Sequence, residues 1–180
     1  MKIMATALPG VLLLEPRVFA DPRGFFMETY HRQRYEEAGI QDTFVQDNFS
    51  HSAKNVLRGL HYQRKHAQAK LVQVIKGVIF DGVVDIRPNS PCFGRWTGEE
   101  LSEFNGRQIY VPKGFAHGFC VLSESADVLY KCSDFYDPTD EGGIIWCDPD
   151  IGIQWPISVP LLSEKDSQYP GLRSLDLEKL

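Results

Sequence analysis

Short runs rich in Val, Ile, Phe and Tyr, cut every few positions by turn residues, constrain this chain more than any other feature. They recur at Phe44–Phe49, Val56–Tyr62, Lys70–Ile75, Val78–Ile86, Gln108–Val111, Phe119–Leu122 and Val128–Phe135. Between them stand Lys76-Gly77, Pro88-Asn89-Ser90-Pro91, Asn105-Gly106 and Pro112-Lys113-Gly114. Strands of this length and spacing predict an all-β sandwich, jelly roll or small barrel. Two further strands, Val11–Phe19 and Phe25–Tyr30, are predicted around the turn Asp21-Pro22-Arg23-Gly24, where Pro sets φ and Gly relaxes it. His31–Ala38 predicts one short helix near the N-terminus, closed by Gly39. From Trp146 onward Pro149, Pro156, Pro160 and Pro170 interrupt the chain, so the tail is expected to wrap the barrel irregularly, anchored by Trp146 and Trp155.

The 180 residues carry no repeat, low-complexity tract or linker, which predicts a single domain over 1–180. A net charge of -5 argues against general nucleic-acid binding, leaving room for a local basic pocket. The N-terminus reaches Pro9 and Gly10 before any long apolar core, and no run approaches the ~20 residues of a membrane span. A cytoplasmic protein with no membrane partner is expected. Cys92, Cys120, Cys132 and Cys147 form no CxxC pair and read as buried, reduced thiols.

The residues able to carry chemistry are ambiguous one at a time. Lys70 shares a strand face with Val72 and Val74, as a snorkelling edge residue or as a charge aimed into a cavity. Arg58 and His61 are three apart, so a regular strand would send them to opposite faces; Gly59 allows a bulge or close backbone approach. Taken alone, His61 reads as a hydrogen-bonded core or rim residue before it reads as a catalyst. Tyr130 and Tyr136 read as amphipathic core residues, and Asp166 as a solvated tail charge. Pro112-Lys113-Gly114 followed by His117-Gly118-Phe119 resembles the second motif of cupins, in which the His lines the barrel. Metal-binding cupins bring His-x-His, where this chain has His61-Tyr62-Gln63, so no metal is expected.

Taken together, these motifs resemble the dTDP-4-dehydrorhamnose 3,5-epimerase family. The resemblance runs from Asp21-Pro22-Arg23-Gly24-Phe25-Phe26 to Asp166. It includes Gln46-Asp47-Asn48-x-Ser50, Leu57-Arg58-Gly59-Leu60-His61-Tyr62-Gln63, Lys70-Leu71-Val72, Val84-Asp85-Ile86-Arg87, Gly114–Phe119, Tyr130-Lys131 and Asp148-Pro149. Gly82 is a small departure away from these positions. The resemblance implies a cupin-like jelly roll, homodimeric and without metal or organic cofactor. It implies a dTDP-linked 4-keto-6-deoxy sugar as substrate, inverted at C3 and C5. His61 then matches the general base, Asp166 its orienting partner and Tyr130 the proton donor on the opposite face. Lys70 and Arg58 match stabilisers of the developing oxyanion and the sugar hydroxyls. Arg23, Phe26, Glu28, Gln46, Asp47, Asn48, His117, Glu141 and Lys165 match substrate contacts, and Tyr136 the position that stacks on thymine.

Three rivals compete with this expectation: a 3-epimerase inverting one centre, a metal-dependent cupin enzyme, and a non-catalytic sugar-nucleotide-binding module. A proton beside a ketone is only weakly acidic, so its removal needs a cation near the enolate oxygen. Inversion needs a proton carrier on each face. Lys70, His61 and Tyr130 together supply that set, which a binding module would not require.

Overall fold

The computed structural model describes residues 1–176; the last four of the expected domain lie outside the described residues. Six strands form one sheet in the order β1 (Lys2–Ala5), β2 (Leu12–Glu15), β10 (Gln108–Val111), β7 (Lys70–Lys76), β12 (Ser125–Cys132) and β5 (Gln46–Ala53). Five form a second sheet in the order β13 (Glu141–Gly143), β6 (Leu57–Gln63), β11 (Phe115–Val121), β8 (Val78–Asp85) and β9 (Trp96–Ser102). Strands β3 (Val18–Asp21) and β4 (Gly24–Met27) make a separate hairpin. The expected all-β, cupin-like jelly roll is the architecture present.

Apolar side chains pack in three places, and their distribution explains the sheets. Leu13, Val72, Val83, Ile109, Phe115, Phe119 and Val128 meet between the two sheets as the barrel core. Helix α1 (Arg32–Glu37) lays Tyr35 on the outer face of the six-stranded sheet beside Leu14, Leu71 and Tyr110. The Tyr35 hydroxyl donates to Gln108 Oε1 at 2.7 Å, so the buried phenol keeps a partner. The C-terminal tail covers the other sheet, where Ile151 and Leu172 meet Leu60, Val84 and Ala116. Asp148 ties that tail down by accepting from the Ile151 and Leu172 N–H groups, the latter at 2.6 Å.

Several expectations shift by a few residues, for local reasons. The predicted strand Val11–Phe19 is two strands, β2 and β3, separated at Pro16, which has no N–H to offer a ladder. The following strand is Gly24–Met27, not Phe25–Tyr30. Strands β1, β9 and β13 were not predicted; Gly98, Glu99 and Glu100 disguise β9, where Gly98 lies against the Phe80 ring. Strand β11 starts at Phe115 and β12 at Ser125, each earlier than the apolar run suggests. The tail is less irregular than expected: Ser163 accepts from the Asp166 N–H and caps a short helix α2 (Glu164–Ser167). Trp155 is a true anchor, edge-on to Phe80 at 5.7 Å, while Trp146 contributes its carbonyl to the Trp155 indole N–H. All four cysteines are free; Cys120 and Cys132 are buried, Cys92 is half-buried, and Cys147, contrary to expectation, is exposed. Among the described residues no helix is long and apolar enough to cross a membrane.

One close approach matters for the site. Gly59 in β6 has φ +121°, and a Cβ there would stand 2.5 Å from the Gly118 Cα in β11. Both the left-handed backbone and the contact demand glycine. Gly59→Ala should therefore cost about 2–4 kcal/mol in chemical denaturation. Wild-type stability in that variant would show that the strands can part without loss.

Candidate active site

A polar hollow with a volume of about 380 Å³ opens between the two sheets. Strand β5 lines it with alternate residues Gln46, Asn48 and Ser50, because its period of two turns Asp47 and Phe49 outward. Lys70 enters from β7, Tyr130 from β12, His117 from β11 and Glu141 from β13. Arg58 and His61 both enter from β6, which a regular strand forbids. Opposite them, His117 pairs with His61 and Phe119 with Arg58, so β6 spends three steps where β11 spends two. The extra residue is a bulge at Gly59, and it swings both side chains to one cavity.

His61 is held from one side by the tail. Its Nε2 lies 2.5 Å from Asp166 Oδ1, across 105 residues of sequence. Asp166 is only 4% exposed, so the solvated tail charge suggested by spacing alone is a buried partner. Burial by itself would raise its pKa. The hydrogen bond and positive charge of His61, with bonds from Ser163 and the Gly59 backbone, outweigh it and hold the carboxyl below its ordinary value. With Nε2–H committed to that carboxylate, Nδ1 is the nitrogen left with a lone pair. It faces Glu141 Oε1 at 3.8 Å. Glu141 in turn accepts from the Tyr136 hydroxyl at 2.9 Å and pairs with Lys165.

The remaining groups divide by charge. Burial pushes the Lys70 ammonium below its ordinary pKa, and among the described residues no carboxylate sits within ion-pairing distance of it. A cation held so, in a poorly solvated wall, is suited to an anion that forms in the cavity. Burial likewise raises the Tyr130 phenol, so it stays protonated at neutral pH and is able to donate. His117 bonds through Nε2 to both oxygens of Asp81, at 3.0 and 2.9 Å. Arg58 is steadied by Ser52 Oγ at 2.9 Å. Among the described residues no three His, Cys, Asp or Glu side chains converge as a metal site requires.

Most of the predicted site residues therefore meet: Gln46, Asn48, Arg58, His61, Lys70, His117, Tyr130, Tyr136, Glu141, Lys165 and Asp166. Four do not. Arg23 and Phe26 lie exposed on the β3–β4 hairpin, where Arg23 forks onto Asp21. Glu28 follows that hairpin and pairs with Arg34 at 2.7 Å; Asp47 faces outward to Lys131 at 2.9 Å. Several lining residues escaped prediction as site members, among them Tyr62, Gln63, Gln68 and Ser163, and two more had a readable signal. Ser50 completes the polar alternation of Gln46 and Asn48, and Asp81, a carboxylate inside the apolar run Val78–Ile86, needed a buried partner.

Residues 5–174 match the family model described as dTDP-4-dehydrorhamnose 3,5-epimerase. The dTDP-4-dehydrorhamnose 3,5-epimerase of Salmonella typhimurium is 56% identical over 175 residues, covering 96% of each chain. The crystal structure of dTDP-6-deoxy-D-glucose-3,5-epimerase from Legionella pneumophila, in complex with dTDP-4-keto-L-rhamnose, superposes with a TM-score of 0.97. It is 50% identical and the alignment covers 99% of this chain and 96% of that one. A dTDP-4-dehydrorhamnose 3-epimerase from Streptomyces niveus is 40% identical over 168 residues, covering 92% of this chain and 81% of that protein.

The lowered Asp166 carboxyl has a consequence for acid stability. A depressed folded-state pKa gives stabilisation that is complete above the ordinary value of 3.8 and is lost as pH falls through the lower folded value. Asp166→Asn should remove part of the loss of Tm below pH 3.8, while lowering Tm near neutrality. Parallel Tm-against-pH curves for the two proteins would contradict the assigned ion pair.

Proposed function

This chain belongs to the dTDP-4-dehydrorhamnose 3,5-epimerase family and is an isomerase of dTDP-rhamnose biosynthesis, inverting C3 and C5 of dTDP-4-dehydro-6-deoxy-D-glucose; we propose that His61 and Tyr130 are its two proton carriers. The observation that carries this assignment is the His61–Asp166 pair, set in one cavity with Lys70 and a protonated Tyr130. His61 Nδ1 removes the proton next to the 4-ketone. Electron density moves to O4, where the Lys70 ammonium meets the enolate as it forms. Tyr130 returns a proton to the opposite face of the same carbon, and the centre is inverted. Substrate and product are isomers at one oxidation level, so proton transfer alone balances the reaction.

The rest of the cavity holds the substrate in this scheme. Arg58 and His117 take the sugar hydroxyls, Lys165 and Glu141 contact the substrate beside them, and Tyr136 stacks on thymine. The enzyme is read as one catalytic domain over 1–180 working in the cytoplasm, a compartment in keeping with its four free cysteines. It works as a homodimer. Arg23, Phe26 and Glu28 lie outside the cavity of their own chain, on and just after an exposed hairpin that also bears Phe19 and Phe25. A second copy gives that apolar hairpin a surface to cover, and the three residues then complete the partner's site.

Two experiments test these assignments. In heavy water, deuterium should enter both C3 and C5 during turnover. His61→Asn should abolish both exchange and product, a loss of about 10²–10⁴-fold or more. Tyr130→Phe should still exchange label while inverted product falls; unimpaired product from it would remove Tyr130 from the mechanism. Label and inversion at C3 alone would mean a single-centre enzyme. For the dimer, Arg23→Ala and His61→Asn proteins should each be weak, yet regain activity when unfolded and refolded together. One site of the mixed dimer then has an intact His61 and the partner subunit's Arg23. No recovery, or a fully active monomer by light scattering, would dissociate the hairpin from the site.

A further inference from the structure

Two inversions by one pair of carriers pose a problem of protons. After the first, His61 holds one proton more and Tyr130 one fewer than at the start. The second centre cannot be inverted in the same sense until one proton has left His61 and another has reached Tyr130. A nucleotide sugar seated in the main cavity would cover the front of the site and slow its exchange with bulk water.

The molecule has a second cavity, of about 150 Å³, at the end of the barrel closed by the 64–69 segment and the 112–114 turn. Its walls include His61, Lys70 and His117, the same side chains that line the main cavity. Ala67, Ile86, Val111 and Phe115 line it as well, and these do not touch the main cavity. Arg64 and Pro88, exposed at its rim, bring it to solvent. Arg87 keeps that rim fixed, forked onto Asp85 at 3.0 and 2.6 Å. Such a space holds about five waters at liquid density, and with Lys70, His61, Gln63 and Gln68 along it a water finds the two to four polar partners it needs.

We propose that this second cavity is a water-filled proton path that resets His61 and Tyr130 between the two inversions, an inference that rests on their roles as proton carriers. One proton leaves His61 for water in the cavity. One enters through Lys70, which passes it to the Tyr130 phenolate and is refilled from the same water. Protons out and in are equal. The strand register makes the handover reachable: Tyr130 pairs with Val72, so Lys70 is its diagonal neighbour on the same face. The burial that weakens the Lys70 ammonium's hold on its proton favours the exchange.

The path is tested by obstructing it from Ala67, which is half-buried and belongs only to the second cavity. Wild-type enzyme is first shown by NMR of the product to invert both centres, so that a failure of the functional assignment is seen separately. Ala67→Phe, or Ala67→Leu if the larger side chain lowers Tm, should leave KM and the first inversion near wild type. The second inversion should slow about tenfold and singly inverted sugar should accumulate, a loss below the ~10²–10⁴ of a positioned acid or base because slow exchange through the front persists. Unchanged partition between singly and doubly inverted sugar in a folded variant would overturn the proposal, as would equal slowing of both steps. On wild-type enzyme, the rate of the second inversion should curve against the deuterium fraction of the solvent, because several protons move. A straight line would overturn it equally.

Discussion

A bulge one residue long in β6 sets the geometry on which the site depends. Without it, Arg58 and His61 would face opposite sides of the sheet, one to the cavity and one to the packing layer beneath the C-terminal tail. The bulge exists because Gly59 and Gly118 allow two strands to approach where any side chain would collide. The same approach aligns His61 with His117 across the pair and brings the Gly59 backbone within reach of Asp166. Backbone sterics, more than any single polar contact, decide which groups share the cavity.

Around that geometry the charges are distributed unequally. A carboxylate faces each ring nitrogen of His61: Asp166 at Nε2 and Glu141 beyond Nδ1. Among the described residues Lys70 makes no ion pair; Glu141 and Asp81 act on it only at longer range, and its wall solvates it poorly. An isolated buried cation is costly to maintain, and a closely paired one would have little attraction left for a new anion. The arrangement keeps the field of Lys70 available for charge that appears only during reaction. Asp81 does the opposite work behind His117, fixing a ring that must hold still.

Much of this was legible in the amino-acid sequence, and the exceptions have physical causes. The barrel was readable because turn residues cut apolar runs at strand length. Its boundaries were not, because central strands are covered on both faces: the whole of β11 is buried, so the alternation that marks a half-exposed strand such as β5 is missing there. Gly59 signalled a bulge, but its partner Gly118 is distant in sequence, and only pairing brings them together. Ser163 with Asp166 three residues on is a helix-start pattern for α2, outweighed in the sequence by the prolines around it. The proposed catalytic set emerged from resemblance, since each residue alone had an ordinary structural explanation. Arg23, Phe26 and Glu28 were expected from the same resemblance and sit outside the cavity of their own chain, on or just after a hairpin that strand patterning places without saying what it meets.

The placement of Asp166 also bears on how the molecule comes to be active. Every strand of the barrel, and with it His61, Lys70 and Tyr130, precedes Asp166 in the chain. During synthesis the barrel is complete in sequence while the partner of its histidine is still unmade. The tail then has to cross the outer sheet, seat Leu172 on Asp148 and deliver α2 to the cavity mouth. Until the tail docks, His61 lacks the carboxylate at its Nε2 and the five-stranded sheet lacks the cover of Ile151 and Leu172.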